Sequence, residues 1–157
     1  MSRRRRATKR KIVPDQKYNS IVLTRFINRV MLHGKKSLAT TIVYNALEQF
    51  SKKVHAEDPL IAFDQAMENA MPTLEVKSRR IGGATYQVPI EIPPERRQSM
   101  AMKWIITNAR QKVGRNMVDG LAMELADCFN NQGSTIKKKD DTHRMAEANK
   151  AFAHYKW

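Results

Sequence analysis

The chain has 157 residues, 41% of them hydrophobic and 28% charged, with a formal net charge of +14. That size and balance suit one folded domain with its own core, and exclude a disordered chain, while no apolar run is long enough to span a bilayer. A lone cysteine, Cys128, excludes an internal disulfide, and the basic N-terminus lacks the apolar run of a secretory signal, so a soluble protein of a reducing compartment is expected.

Residues 1–14 read as a flexible basic arm, because Arg3, Arg4, Arg5, Arg6, Lys9, Arg10 and Lys11 crowd a stretch with little to bury. Residues 15–72 read as three helices. The first carries Ile21, Val22, Phe26, Ile27, Val30 and Met31 on one face and is expected to end at Gly34. Lys35 and Lys36 then occupy a tight turn, and the second helix is expected to bury Leu38, Ile42, Val43, Ala46, Leu47 and Phe50. Asp58 and Pro59 cap and open the third, which packs Leu60, Phe63, Met67 and Ala70 and stops before Pro72. Its outer face carries Asp64 and Glu68.

Residues 73–92 switch from helical to alternating period and are expected to form a two-stranded antiparallel β-ribbon between helices three and four. A loop of Gly82, Gly83 and Ala84 pairs Ile81 with Thr85, Arg80 with Tyr86, Ser78 with Val88, Val76 with Ile90 and Leu74 with Ile92, which gathers the aliphatic residues on one face. It also sets Glu75 against Glu91, a like-charge pair. Residues 93–157 then supply helices four to six. The fourth turns Met100, Trp104, Ile105 and Ala109 inward and Arg96, Arg97, Lys103 and Arg110 outward; a connection with Lys112, Gly114 and Arg115 follows. The fifth runs from an Asn116 cap through Met117, Leu121, Leu125 and Phe129 to a stop at Gly133. The sixth, after Lys137, Lys138 and Lys139, carries Met145, Ala148, Phe152 and Tyr155. The fold class is thus mainly α, six helices in one domain with a protruding ribbon and a basic arm.

Charge is segregated along this order: residues 1–40 hold twelve Lys and Arg against one acid, and residues 41–75 two against six. Interspersed signs would mean a merely solvated surface; segregation implies one basic face for a polyanion. Catalytic patterns are absent: no phosphate-cradling glycine loop with a lysine, no dinucleotide fingerprint, no paired-histidine zinc motif, and no expected cofactor. His143 and Glu147 stand one helical turn apart as a surface pair rather than metal ligands, and Cys128 reads as a small core residue. The arm, the Lys35–Lys36 turn, the arginine-tipped ribbon and the basic fourth helix with its loop make a nucleic-acid surface. Arg80 and Tyr86 share a face in the expected register, and either hold an unpaired base between them or stack on each other.

The runs "SRRRRA", "FINRVMLHGKKSLA", "SRRIGGATYQVPIEIPPERR" and "KKKDDTHRMAEANKAFAHYKW" together resemble the family of the bacterial-type seventh protein of the small ribosomal subunit. The resemblance covers essentially the whole chain. It implies a non-catalytic protein, without cofactor or metal, that binds the 3′ major domain of small-subunit rRNA, nucleates assembly of the subunit head, and reaches exit-site tRNA and mRNA. Neighbouring head and platform proteins are the implied protein partners, with no membrane. Carried over by position, rRNA is bound by Arg3, Arg4, Arg5, Arg6, Lys9, Arg10, Lys11, Lys35, Lys36, Arg79, Arg96, Arg97, Lys103, Arg110, Lys112 and Arg115. Arg79, Arg80, Gly82, Gly83 and Tyr86 form the tRNA- and mRNA-facing ribbon end. His143, Arg144, Asn149, Lys150, His154, Tyr155 and Trp157 face exit-site tRNA or a neighbouring protein. A DNA-architectural protein with β-arms is the alternative, but its arms often wedge an apolar residue between base steps, and the tip here is Gly-Gly-Ala.

Overall fold

The computed structural model describes residue 8 and residues 10–155. Among the described residues six α-helices are present: α1 (Ile21–Val30), α2 (Lys36–Val54), α3 (Pro59–Ala70), α4 (Pro94–Gln111), α5 (Met117–Phe129) and α6 (Gly133–Ala148). Strands β1 (Leu74–Ile81) and β2 (Ala84–Glu91) form the ribbon between α3 and α4, and a 3-10 turn spans Lys150–Tyr155. No helix is long and apolar enough to cross a membrane among the described residues.

Local chemistry sets half of the helix starts. The Ser20 hydroxyl accepts from the Leu23 amide, Asp58 from Leu60 and Asn116 from Asp119, each satisfying an amide the helix leaves unpaired. The core is one apolar cluster centred on Leu23, Phe26, Leu47, Phe50, Phe63, Met67, Ile105, Leu121 and Leu125. Phe26 meets Phe63 edge to face at 5.3 Å, and Phe50 meets Phe129 at 6.2 Å. A Cβ on Gly120 would lie 2.8 Å from the Ala109 carbonyl oxygen, so α5 approaches α4 closely enough to need the missing side chain.

Several expected details are corrected. The first helix stops at Val30, before Gly34, which lies in the following turn with φ +73°. Phe26, Ile27 and Val30 are buried as expected, but Leu23, not expected on that face, is fully buried and Ile21 is exposed; Leu38 of α2 is also exposed. The fifth helix ends at Phe129, after which Asn131 takes a left-handed φ of 55°; Gly133 opens α6. Lys137, Lys138 and Lys139 therefore lie inside α6. Phe152 and Tyr155 belong to the 3-10 turn beyond it.

The ribbon register is also one residue away from the aliphatic-strip expectation. Observed pairs are Ile81 with Ala84, Arg80 with Thr85, Arg79 with Tyr86, Ser78 with Gln87, Val76 with Pro89 and Leu74 with Glu91. The loop is two residues, Gly82 and Gly83, at φ +56° and +91°. Two positive φ values give a turn whose twist matches the strands, and that match decides the register over the aliphatic pattern. The expected clash vanishes as well: Glu75 faces Ile90, is buried, and receives the Arg96 guanidinium at 2.8 and 2.9 Å.

Candidate nucleic-acid interface

The basic residues divide by what their charges touch. On α1, Arg25 and Arg29 sit one helical turn apart on the exposed side. Arg25 donates to Gln98 Oε1 at 3.0 Å and Arg29 to Ser99 Oγ at 2.9 Å, so α4 orients both guanidiniums. Each keeps further donors, since a guanidinium carries five. With Arg10 and Lys11 they line an open groove of about 820 Å³ between the N-terminal segment, α1 and α4, floored in part by Ile21 and Met102; Glu95 is the one acid in that lining. Sequence reasoning missed Arg25 and Arg29. Their i, i+4 spacing on the polar side of the first helix was the available signal.

Lys35 and Lys36 stand at the start of α2, which has no acid in its first turn and no side-chain cap. Cations at the positive end of a helix weaken it, so an anion placed at this turn would be favourable. Lys103 and Arg115 are exposed.

Beyond the ribbon, most of the expected outward cations are engaged inside the molecule. Arg97 donates to the Ile92 carbonyl at 2.7 Å and Arg110 to the Val30 carbonyl at 3.1 Å, tying α4 to the ribbon base and to α1. Arg96 closes on Glu75, which holds its pKa above the ordinary value. Lys112 is largely buried, 3.0 Å from Glu124 Oε2 and 3.1 Å from Asp127. Burial alone would lower its pKa, but attraction to these carboxylates outweighs that and raises it. Glu124 is 0% exposed. Its Oε1 accepts from both the amide and the hydroxyl of Thr135, so α5 supplies the N-terminal cap of α6. The contact from Lys112 to Oε2 is an ion pair without hydrogen-bond alignment.

The ribbon end and the C-terminal turn form one unit. Tyr86 packs against both Phe152 and Tyr155, each at 5.3 Å, and Arg79 donates to the Tyr155 carbonyl. The expected Arg80–Tyr86 platform is thus replaced: Tyr86 stands opposite Arg79 and its ring is engaged by the chain's own aromatics, while Arg80 is exposed. Gly82 and Gly83 have open space around them. His143 is likewise not a surface partner of Glu147; its Nε2 accepts from the Thr73 amide at 3.0 Å, which fixes the neutral tautomer and pins α6 to the ribbon base. Burial, then Lys139, holds its pKa below the ordinary value.

The remaining C-terminal candidates are mostly exposed. Arg144 lies 3.8 Å from Asp141, Asn149 donates to the Met145 carbonyl, Lys150 is exposed, and His154 contacts the Tyr155 ring at 4.0 Å. Arg3, Arg4, Arg5, Arg6, Lys9 and Trp157 lie outside the described residues. Cys128 is fully buried, and burial followed by Glu124 pushes its thiol up to about 12, which suits packing and not nucleophilic chemistry. Among the described residues no group of three or more His, Cys, Asp or Glu is placed to hold a metal ion.

The model of the family described as Ribosomal protein S7p/S5e matches residues 2–150. A protein named "Small ribosomal subunit protein uS7" from Protochlamydia amoebophila is 71% identical over 157 residues, with both chains covered in full. Proteins of the same name from Chlamydia trachomatis serovar D and Chlamydia caviae are 65% and 66% identical, again over the full length of both chains.

Proposed function

Because the chain belongs to the ribosomal protein S7p/S5e family, we propose that it is a structural, non-catalytic component of the small ribosomal subunit in the cytoplasm that binds rRNA directly. The groove between α1 and α4 is the observation that carries this reading. Arg10, Lys11, Arg25 and Arg29 line it together with a few apolar and amide side chains, a mixture suited to phosphates and sugars rather than to turnover of a small molecule. The cationic start of α2 extends the same chemistry, and the N-terminal arginines add to it.

At finer grain, the rRNA target is the 3′ major domain, and binding there nucleates the subunit head. The ribbon end, with Arg80 beside the open Gly82–Gly83 turn, approaches exit-site tRNA and mRNA. Small residues at a ribbon tip permit a close backbone approach to nucleic acid, which supports that placement. Arg144, Lys150 and His154 on the C-terminal segment face tRNA or neighbouring head and platform proteins.

The test is a footprint of the purified chain on small-subunit rRNA transcribed from Protochlamydia amoebophila, at about physiological salt where screening acts within about 8 Å. Protection confined to one region of the 3′ major domain is expected. Equal affinity for duplex DNA, or no protected region, overturns the reading.

A further inference from the structure

Of ribbon residues 78–87 all are exposed except Arg79, Ile81 and Tyr86. Two of these exceptions meet the Lys150–Tyr155 turn: Tyr86 lies 5.3 Å from both Phe152 and Tyr155, and Arg79 donates to the Tyr155 carbonyl. The turn itself is lightly anchored, for none of its residues is buried. Its printed backbone bond is local, from the Phe152 amide to the Asn149 carbonyl at 3.0 Å, and His154 Nδ1 reaches only the Ala151 carbonyl at 2.8 Å. Beneath it is space. A hollow of about 460 Å³ is lined by Lys150 and Ala153 of the turn, Leu74, Pro89 and Glu91 of the ribbon, and His143 of α6. The turn therefore runs from the end of α6 to the outer ribbon as a strap, fastened at its far end by rings and open below.

We propose that this strap is releasable: closed, it fastens the outer ribbon and occupies the Tyr86 ring; open, it yields that ring to an unpaired base of single-stranded RNA. The inference rests on the RNA-facing reading of the ribbon and deepens it, because the chain's own C-terminal turn then limits that binding. Lys77 and Arg79 alternate onto the same ribbon face as Tyr86, so cations for the phosphates flank the ring once it is uncovered. Ring on ring and base on ring are contacts of similar strength, so strap and RNA compete on nearly equal terms. A short segment with no buried residue also opens at low cost compared with the helical core. Linkage makes the competition reciprocal: RNA on the ribbon loosens the turn by the same factor by which an open turn favours RNA.

The experiment uses the full chain as wild type, as Phe152→Ala/Tyr155→Ala, and as that pair with Tyr86→Ala added, with octauridylate as the probe. Neither turn residue is buried, and circular dichroism checks that the helices persist. Without the rings, amides of residues 78–87 should exchange roughly tenfold faster while those of α2 and α5 keep their rates. The double variant should bind octauridylate about tenfold more tightly than wild type, the scale of two lost ring contacts. Its salt slope stays unchanged, because no cation is removed. Adding Tyr86→Ala should abolish the gain. Equal or weaker binding by the double variant, the outcome expected if Phe152 and Tyr155 themselves stacked the bases, overturns the inference. So does a gain that survives Tyr86→Ala, or ribbon exchange that does not change. Loss of the rRNA footprint beside an intact strap result sinks the rRNA reading alone.

Discussion

Arg25 and Arg29 on α1, and Arg96, Arg97 and Lys112 on and just after α4, all come from basic stretches of sequence. Their partners differ in kind. The α1 pair leans on neutral groups, Gln98 and Ser99, at the lining of an open groove. The later set meets carboxylates and a carbonyl of its own chain, Glu75, Ile92, Glu124 and Asp127. Charge density in sequence therefore counts two populations together: cations that line an open groove, and cations that fasten the ribbon and α6 to the body.

That separation is most easily broken at Lys112. Lys112→Ala leaves the fully buried Glu124 without its cation, so denaturant unfolding should show a loss of about 3–5 kcal/mol; rRNA affinity per folded molecule should change little. A variant that lost affinity without losing stability would place Lys112 with the binding set. Arg25→Gln with Arg29→Gln should do the opposite: a stability change under about 1 kcal/mol, and a salt slope of rRNA binding lower by about 1.5–2 ions. Titration of affinity against salt reads it, and an unchanged slope would remove the α1 groove from the interface. Gly83→Val, forcing a β-branched residue to φ +91°, should cost the ribbon about 1–3 kcal/mol, with hydrogen exchange faster in β1 and β2 and unaltered in α5.

The smallest effect concerns pH. The His143 pKa is held below its ordinary 6.5, so the stabilisation from its neutral ring is fully present above about pH 6.5 and fades as pH falls through the lower folded value. Comparing wild type with His143→Ala, the stability gap should be under about 1 kcal/mol at pH 8 and should shrink toward pH 5.

The order of helices and ribbon was legible because period and caps are local: Asp58–Pro59, Asn116 and the alternation of 73–92 announce themselves. What failed depended on distant partners. The start of α6 looks like a stop from its glycine, yet Glu124 of α5 caps it. The ribbon register was read from an aliphatic strip, but a buried Glu75 shares the ribbon's packed surface because Arg96 reaches it from α4. Within the site, the turn lysines and arm arginines were visible as clusters, whereas Arg25 and Arg29 become a site only when Gln98 and Ser99 arrive from α4.

Cys128 offers a consequence of a different sort. It is the one thiol in the chain, fully buried beside the α5–α6 joint and pushed up to about 12. Neither ribbon fraying nor motion of the C-terminal turn uncovers it, so an alkylating reagent meets it only when the helical body opens. The labelling rate is then a built-in clock for that opening, and one mass increment per molecule records it. Run with and without rRNA, the same clock measures how much the nucleic acid slows the body's own breathing, apart from any change at the ribbon.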